Sequence, residues 1–451
     1  MRILHTSDWH LGRSFGPASL HADQAAFLEW LVELVVAERV EVVVVAGDLY
    51  DRAVPPTESV ALLRDTLERL VDRGVLVVAV AGNHDGPDRV AAYDGLTDRA
   101  GVVVRGGYGR AGLVTTLELP DGPLDVVAVP YLDPVLSPSA WLDGGADAEA
   151  ADEAGPGPET GVVPALPVEL PAPAEPGATP SLFDLLVDEP PAVDAPGPGV
   201  DPAAGPVSPR PSARRTHHRV LAEALRRASA SRRAPRSLAV AHAFVTGGLP
   251  SESERLLTVG GTGEVGVELF DGFDYVALGH LHRPQRVRAD VDTVRYSGSP
   301  LPYSFSETQP KQVVLVELTA GGVTEVRPVD VPVGRPVATV TGTLDELLAD
   351  PAHDAVAGCF VRALLTDPGY VVDARTRLLD RFPHVVEVVP RPADPAGRAG
   401  APDRSEQRGR LAPLEAAVGF WADVTGAEPT EVERSLLESV LAQVASGEAA
   451  R

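Results

Sequence analysis

Five short polar motifs, each directly after an apolar run of strand length, constrain the fold of this chain more than any other feature. The runs cover residues 2–6, 41–46, 75–81, 237–241 and 275–278. The motifs that follow them are Asp8-Trp9-His10, Gly47-Asp48, Gly82-Asn83-His84-Asp85, His242 and Gly279-His280-Leu281-His282. In α/β sheets, ligands bind outside the carboxyl ends of the strands. The pattern therefore predicts an α/β fold with one shared site at the strand ends.

Helical periods alternate with these strands. Residues 21–39, 58–73 and 216–231 carry apolar side chains at helical spacing. Further strand-like runs cover 101–104, 113–119, 124–129, 293–297, 312–318 and 323–329. After residue 335 the pattern restarts as a small α/β unit, and 411–446 indicates two helices joined near 426–429. We predict a main domain over 1–142 and 212–332, a small domain over 335–392, a linker over 393–410 and a helical segment over 411–447.

Residues 143–211 differ in kind from the rest of the chain. Between 143 and 209 there are fifteen Pro and thirteen Asp or Glu, with no Lys or Arg. Such a stretch cannot bury enough apolar surface to offset its chain entropy, so it is predicted to be a disordered acidic insertion rich in Pro and Ala. Its one apolar island, 181–186, is either an inconsequential sticky fragment or a short peptide that docks on a partner. It loosely resembles bacterial sliding-clamp-binding peptides but lacks their usual Gln.

The net charge of −25 argues at first sight against a nucleic-acid partner, since phosphate binding favours a basic field. About half of the excess acid lies in the insertion, however, so whole-chain charge does not exclude DNA. Arg13, Arg52, Arg89 and Arg283 each lie within a few residues of a motif. They indicate either a locally positive cleft or ordinary surface arginines.

The single Cys excludes a disulfide framework and a cysteine-based zinc site, and it favours a reducing compartment. The N-terminus lacks the basic and apolar regions of a signal peptide. No apolar run reaches the ~18 residues of a membrane span. The sequence therefore predicts a cytoplasmic protein with no membrane partner.

The residue types in the five motifs suit metal ions. Imidazole and carboxylate together favour zinc, manganese or iron over calcium or magnesium alone. The D-x-H and H-x-H spacings would place both side chains of each pair on one face of an extended segment. The candidate ligands are Asp8, His10, Asp48, Asn83, His242, His280 and His282. Seven are too many for one zinc-like ion but suit two ions ~4 Å apart that share a carboxylate, with Asp48 as the predicted bridge.

His84 is left over from this ligand count. It can act as a general acid or phosphate donor near the leaving oxygen, with Asp85 available to orient it. Asn83 is the only Asn in the chain, either by chance or because the position needs a carboxamide. The glycines before Asp48, Asn83 and His280 suit a sharp turn with close backbone approach. Any one of these histidines alone is more often structural; the ordered set carries the prediction.

D-x-H, G-D, G-N-H-D, a lone His and G-H-x-H in this order resemble the calcineurin-like metallophosphoesterase superfamily. Within it the sequence is similar to the SbcD family, the nuclease subunits of the bacterial SbcCD complex. The similar segments are 1–12, 46–51 with Pro55-Pro56, 242–245, 279–284 and 296–300 through Lys311. The resemblance is close over 1–142 and about 215–330, looser afterwards, and does not cover the insertion.

The resemblance implies a four-layer α/β/β/α metallophosphoesterase sandwich with a small α/β capping domain and C-terminal helices. It implies one ion on Asp8, His10, Asp48 and His282, and a second on Asp48, Asn83, His242 and His280. The implied cofactor is two Mn²⁺, although the ligand types alone allow zinc or iron. His84 matches the family's catalytic His, which would assist the leaving 3′ oxygen in phosphodiester hydrolysis.

The same resemblance implies a DNA repair and recombination nuclease. The expected activities are 3′-to-5′ exonuclease on duplexes and endonuclease on single strands or hairpins, gated by ATP through the partner SbcC. It also implies a homodimer inside a heterotetramer with two SbcC, and docking of 411–447 on SbcC; a simple packed tail is the alternative for that segment. Two other functions stay open: a phosphatase or small phosphodiesterase of the same superfamily, and a non-catalytic scaffold that tethers DNA ends.

Overall fold

The computed structural model describes residues 1–141, 161–163, 215–254, 263–288, 290–369, 371–391, 413–425 and 428–448. The predicted linker over 393–410 and most of the predicted insertion lie outside the described residues, including the island 181–186. Three residues of the insertion are described, and they form an edge strand of a sheet. Disorder over the rest of 143–211 stays a prediction.

The strands follow the predicted positions closely, because the most apolar runs, such as Val42–Val45, Leu76–Val80 and Tyr275–Gly279, are strands buried on both faces. In chain order they are β1 Arg2–Thr6, β2 Ser14–Phe15, β3 Ala18–Ser19, β4 Val42–Val45, β5 Leu76–Val80, β6 Val102–Arg105, β7 Val114–Leu117, β8 Leu124–Val129, β9 Gly161–Val163, β10 Ser237–His242, β11 Phe244–Val245, β12 Glu264–Val265, β13 Tyr275–Gly279, β14 Gln285–Arg288, β15 Val291–Tyr296, β16 Gln312–Thr319, β17 Gly322–Asp330, β18 Val337–Gly342, β19 Phe360–Leu365 and β20 Val385–Pro390.

The helices also match the sequence periods, with ends that differ by a few residues. They are α1 His21–Ala37, α2 Thr57–Val71, α3 Pro87–Val90, α4 Asp94–Thr97, α5 His217–Ser229, α6 Leu344–Ala349, α7 Ala374–Leu379, α8 Pro413–Thr425 and α9 Glu431–Glu448. Among the described residues, no helix combines the length and the apolar character needed to cross a bilayer.

Two mixed sheets form the centre of the main domain. One has the order β17-β16-β1-β4-β5-β6, and the other has the order β14-β15-β13-β10-β8-β7-β9. The run β1-β4-β5-β6 is parallel, as is β8-β10-β13-β15. Because each parallel run ends at one edge of its sheet, the five motifs come out at neighbouring strand ends.

The layers are helix, sheet, sheet, helix, because alternate residues of each strand face opposite sides. In β4, Val42 and Val44 pack between the two sheets against residues such as Val126 and Val240. Val43 and Val45 face the other way, into a core that also contains side chains of α1 and α2. Helix α5 covers the outer face of the second sheet. The predicted four-layer α/β/β/α sandwich is confirmed.

Residues 337–390 form a separate three-stranded parallel sheet, β18-β19-β20, packed with α6 and α7 around its own core. This small unit contacts the main domain through a second cluster, in which Phe15, Leu301 and Phe305 meet Phe360 and Val386. An ion pair of 2.6 Å between Arg335 Nη1 and Asp23 Oδ2 lies beside the junction. The small domain is thus docked by both apolar packing and charge.

Candidate metal centre

The loops that carry the polar motifs have an unusual backbone. Asp8, His10, Asp48 and His280 have φ values of 54°, 44°, 48° and 108°. They are four of the six residues other than Gly with positive φ in the part of the chain that the structure describes. Such conformations persist only where the surroundings over-determine them, and they cluster at functional sites. The spacing of Asp8 and His10 predicted that both side chains lie on one face of an extended segment, and this is wrong. The left-handed backbone conformation at both residues brings the two side chains together instead.

Backbone hydrogen bonds join the first two loops. The N–H of Asp8 donates to the carbonyl of Gly47 at 3.0 Å, and the N–H of His10 donates to the carbonyl of Asp48 at 2.9 Å. The amide of Gln24 on α1 donates to the carbonyl of His10 at 2.7 Å. These contacts fix the two loops relative to each other before any ligand enters.

Two glycines allow the loops to approach more closely than any side chain would permit. A Cβ on Gly82 would lie 2.1 Å from Asp48 Oδ1, and one on Gly279 would lie 1.7 Å from the carbonyl oxygen of Ala46. Gly47 adds a positive φ of 97°, and a Cβ there would lie 2.1 Å from His242 Nδ1. The predicted role of these glycines in close approach is confirmed.

One group of candidate ligands gathers where the loops after β1 and β13 meet. The Nε2 atoms of His10 and His282 are 3.1 Å apart. Together with Asp8 they offer one ligand atom each, all within 4.8 Å of one another, and all three residues are buried. Carboxylate and imidazole donors converging at this distance can hold a divalent ion.

A second group gathers around Asn83. Its Oδ1 is 2.9 Å from His242 Nε2 and 3.2 Å from His280 Nδ1. Asp48 lies between the two groups, since its Oδ2 is 3.5 Å from both His10 Nε2 and His242 Nε2. All seven side chains predicted as ligands therefore come together, and Asp48 is at the centre.

Electrostatics favour a cation at this centre. Burial, together with the neighbouring Asp8 carboxylate, raises the pKa of Asp48 well above its usual value. Burial lowers the pKa of His10 and of His280, and the neighbouring imidazoles His282 and His242, respectively, lower it further. These histidines are consequently neutral near pH 7, which is the form that binds metals. The donor set fits divalent ions.

His84 lies at the rim of the centre, with its ring edge-on to His10 at 4.6 Å between centroids. The backbone N–H of His84 donates to Asp48 Oδ1 at 2.9 Å, and the ring atom Nδ1 is 2.9 Å from the carbonyl oxygen of Asp51. Because a carbonyl only accepts, Nδ1 carries the proton in this contact.

The prediction that Asp85 orients the His84 ring is wrong. The Asp85 carboxylate points back into the fold and accepts hydrogen bonds from the backbone N–H groups of Leu49, Tyr50 and Gly82 at 2.8–3.0 Å. Burial and the Asp48 charge nevertheless raise the pKa of Asp85 to about 7. Asp85 therefore ties the two loops together, and the Asp51 carbonyl is the group that holds the ring.

The sequence patterns missed several residues that hold the ligands in place. Ser253, Glu254, Glu307 and Lys311 surround His282, and the Tyr303 hydroxyl donates to the carbonyl of Trp9 at 2.7 Å. One signal could have found part of this set: Lys311 is the only Lys in a chain where Arg has otherwise replaced it.

The four arginines near the motifs differ in exposure. Arg13 is partly buried; it donates to Asp51 Oδ1 at 3.2 Å and lies over the Tyr303 ring. Arg52, Arg89 and Arg283 are exposed. Of these, Arg89 donates to the carbonyl of Ala53, and Arg52 Nη2 lies 3.9 Å from Asp51 Oδ2. The exposed arginines are better placed to meet an anionic substrate than Arg13.

Comparison with known proteins gives the family context. Residues 1–128 match the family model described as calcineurin-like phosphoesterase, and residues 333–425 match the one described as type 5 capsule protein repressor C-terminal domain. The calcineurin-like phosphoesterase fold implies divalent metal ions, in agreement with the donor groups above.

Three similar proteins are each named as the SbcD component of nuclease SbcCD. That of Bacillus subtilis is 31% identical over 326 residues, which cover 71% of this chain and 67% of the relative. That of Rhodobacter capsulatus is 32% identical over 361 residues, which cover 77% of this chain and 75% of the relative. That of Escherichia coli K12 is 27% identical over 354 residues, which cover 77% of this chain and 73% of the relative. From the order of its motifs, its four-layer sandwich and these relatives, the chain belongs to the SbcD family of SbcCD nuclease components.

Proposed function

We propose that this protein is a metal-dependent DNA nuclease, the cleaving component of an SbcCD-type complex. The observation that carries the proposal is the convergence of seven donor side chains around Asp48 in a chain of this family. We assign one ion to Asp8, His10, Asp48 and His282, and a second to Asp48, Asn83, His242 and His280. Two divalent ions there, which we take to be Mn²⁺, would supply an activated water and neutralise the scissile phosphate.

The chain's own residues then divide the work. Asp48 and the six other ligands would hold the ions, and His84, at the rim, delivers a proton to the departing 3′ oxygen. Arg52 and Arg283 attract the DNA backbone. We propose 1–142 and 212–332 as the nuclease domain and 335–392 as a capping domain that bounds the DNA path. A DNA substrate and a single Cys are consistent with action in the cytoplasm, at the nucleoid.

The function is tested with purified protein, with and without SbcC, on an end-labelled duplex and a hairpin. We expect a product ladder that requires Mn²⁺ and is accelerated by ATP with SbcC. Bis(p-nitrophenyl) phosphate serves as the small-substrate control. Cleavage of that ester with no action on either DNA, even with SbcC, would contradict the proposal and favour a small phosphodiesterase.

The C-terminal helix presents an apolar stripe suited to a helical partner. Val432, Leu436 and Val440 of α9 are 80%, 62% and 49% exposed. Their spacing of four residues places them on one face. We propose that this stripe docks on the coiled-coil base of SbcC, which explains why such large apolar side chains face solvent.

Substituting Leu436→Asp is expected to weaken SbcC binding by about 10–100-fold, since it places a charge at the middle of the stripe that SbcC would cover. The measurement is isothermal titration of SbcC with the full chain. Leu249→Asp, at an equally exposed apolar residue far along the chain, is the control and should bind normally. Equal affinity of the two variants would remove α9 from the interface.

We also propose that the protein forms a homodimer through the surface around α2, α3 and α4. Val54, Val60, Tyr93 and Leu96 are large exposed apolar residues there. Of these, Val60 also lines a cavity of about 270 Å³ beside α2. Leu96→Glu should shift the wild-type dimer to monomer in sedimentation velocity, whereas Leu249→Glu should leave it unchanged. A monomeric wild-type chain would overturn this assignment.

A further inference from the structure

The ring of His282 is held on both sides. Its Nε2 faces His10 at 3.1 Å, within the candidate metal centre. Its Nδ1 faces away from the centre and lies 2.6 Å from the hydroxyl oxygen of Ser253. The hydroxyl of Ser253 is in turn 2.5 Å from Glu307 Oε1. A chain of polar contacts therefore runs from a buried carboxylate, through a hydroxyl, to a candidate ligand.

The proton positions in this chain follow from the capacity of each group. A carboxylate accepts and does not donate, so the single hydroxyl proton of Ser253 is directed to Glu307. The Ser253 oxygen also lies 3.1 Å from Ser251 Oγ, whose own proton is directed to Glu254. With its proton directed to Glu307, Ser253 can only accept from His282, so the proton of that contact belongs to His282 Nδ1. A neutral imidazole with its proton on Nδ1 has its lone pair on Nε2, which is the atom that faces the metal centre.

Lys311 keeps the carboxylate end of the chain ionised. Its ammonium group contacts three acceptors: the Glu307 carboxylate, Ser299 Oγ at 2.9 Å and the carbonyl oxygen of His282 at 3.1 Å. Three acceptors match the three protons of an ammonium ion. Glu307 and Lys311 are both buried, so each needs the other's charge. Lys311 thereby also fixes the backbone of the residue whose ring the chain of contacts holds.

The segment 251–254 supplies two side chains that contact His282. Besides Ser253, it supplies Glu254, whose Oε1 accepts the backbone N–H of His282 at 2.7 Å. The ring, the N–H and the carbonyl of His282 are thus each held by a side chain from 253–254 or 307–311. Outer-shell partners of metal-binding His are what fix ring orientation and tautomer.

We propose that Ser253, Glu307 and Lys311 are positioning residues that hold His282 with its proton on Nδ1 and its Nε2 lone pair directed into the metal centre. This inference rests on the proposed function, because that function gives the Nε2 lone pair a metal ion to bind. It goes beyond the ligand set by naming the three residues that prepare one of the ligands.

The tautomer is tested directly in the metal-free protein. Long-range ¹H–¹⁵N spectra of the full chain labelled at His show which ring nitrogen is protonated, and His282→Gln identifies the His282 signals. We expect an Nδ1-protonated ring in the wild type and a mixture of tautomers in Ser253→Ala. Ser253→Thr, which keeps the hydroxyl, should restore the wild-type pattern. An Nε2-protonated wild-type ring, or an unchanged tautomer in Ser253→Ala, would overturn the inference.

Metal affinity gives a second readout. Calorimetric titration with Mn²⁺ should show one class of sites weakened about 10–100-fold in Ser253→Ala and Glu307→Gln, with the other class unchanged. Ser229→Ala, on α5, is the control and should bind as the wild type does. Equal affinities in all variants would contradict the positioning role while the proposed function stands. A wild type that binds no Mn²⁺ would instead contradict the proposed function, and the tautomer measurement would still decide the inference.

Discussion

Replacing His84 with Asn is expected to slow DNA cleavage by about 10²–10⁴-fold while leaving the number of bound Mn²⁺ ions unchanged. The Asn amide can still donate to the carbonyl of Asp51, so the loop keeps its anchor. What is lost is a group that can carry a proton to the leaving oxygen. The measurement is single-turnover cleavage of an end-labelled duplex, with metal content determined on the same samples.

A change of leaving group separates proton delivery from other roles of His84. The 3′ oxygen of DNA is a poor leaving group and needs a proton, whereas p-nitrophenolate leaves without one. His84→Asn should therefore retain most of its rate on bis(p-nitrophenyl) phosphate. An equal loss on both substrates, or the loss of an ion, would mean that His84 acts as a ligand or a phosphate contact; its proximity to His10 and Asp48 makes this a real alternative.

Replacing Asp48 with Asn is expected to slow DNA cleavage by more than about 10³-fold. The same substitution is expected to make the metal-free protein more stable. The carboxylate shared by both ion sites is removed, so both should weaken. Without metal, however, Asp48 is a buried acid beside Asp8, and its pKa is raised by burial and by that charge. A raised pKa means that ionisation of Asp48 destabilises the fold, and this cost grows as pH rises through the raised value.

The amide removes that cost and still accepts the N–H of His84 through Oδ1. Its Nδ2 would face His10, whose neutral ring can accept a hydrogen bond. We expect the melting temperature of the chelated variant to exceed that of the chelated wild type by a few degrees at pH 8, and by less at pH 5. Asp65→Asn, at an exposed carboxylate on α2, should change neither quantity. A less stable Asp48→Asn protein would contradict the strain attributed to this position.

The sequence could predict where this site lies because two local signals agree there. Apolar runs such as 75–81 have strand length and are rich in Val, which favours buried strands, and the polar residues that follow them then lie at the sheet edge. The glycines at 82 and 279 indicated that the loops pack closely, which the spacing of the motifs alone does not reveal. Lone polar residues gained meaning only from the order of all five motifs.

The direction of side chains within the loops could not be predicted. Asp85 follows His84 in sequence, yet it faces the opposite way, because its carboxylate satisfies three backbone N–H groups that would otherwise be buried unpaired. The support of His282 was equally hidden. Its partners lie 28–29 residues away along the chain in both directions, in segments without any periodic signal.

The joining of the two sheets at Ala46 and Gly279 has a consequence for the newly made polypeptide. The donors come from opposite ends of a long stretch of chain, from Asp8 to His282, and strand β16 must still return to pair with β1. A ribosome that has completed only the first sheet's parallel strands has synthesised Asp8, His10, Asp48 and Asn83 but none of the three distant histidines. The complete donor set therefore exists only after synthesis has passed His282, and the order of the motifs along the chain makes the site one of the last features of the main domain to form.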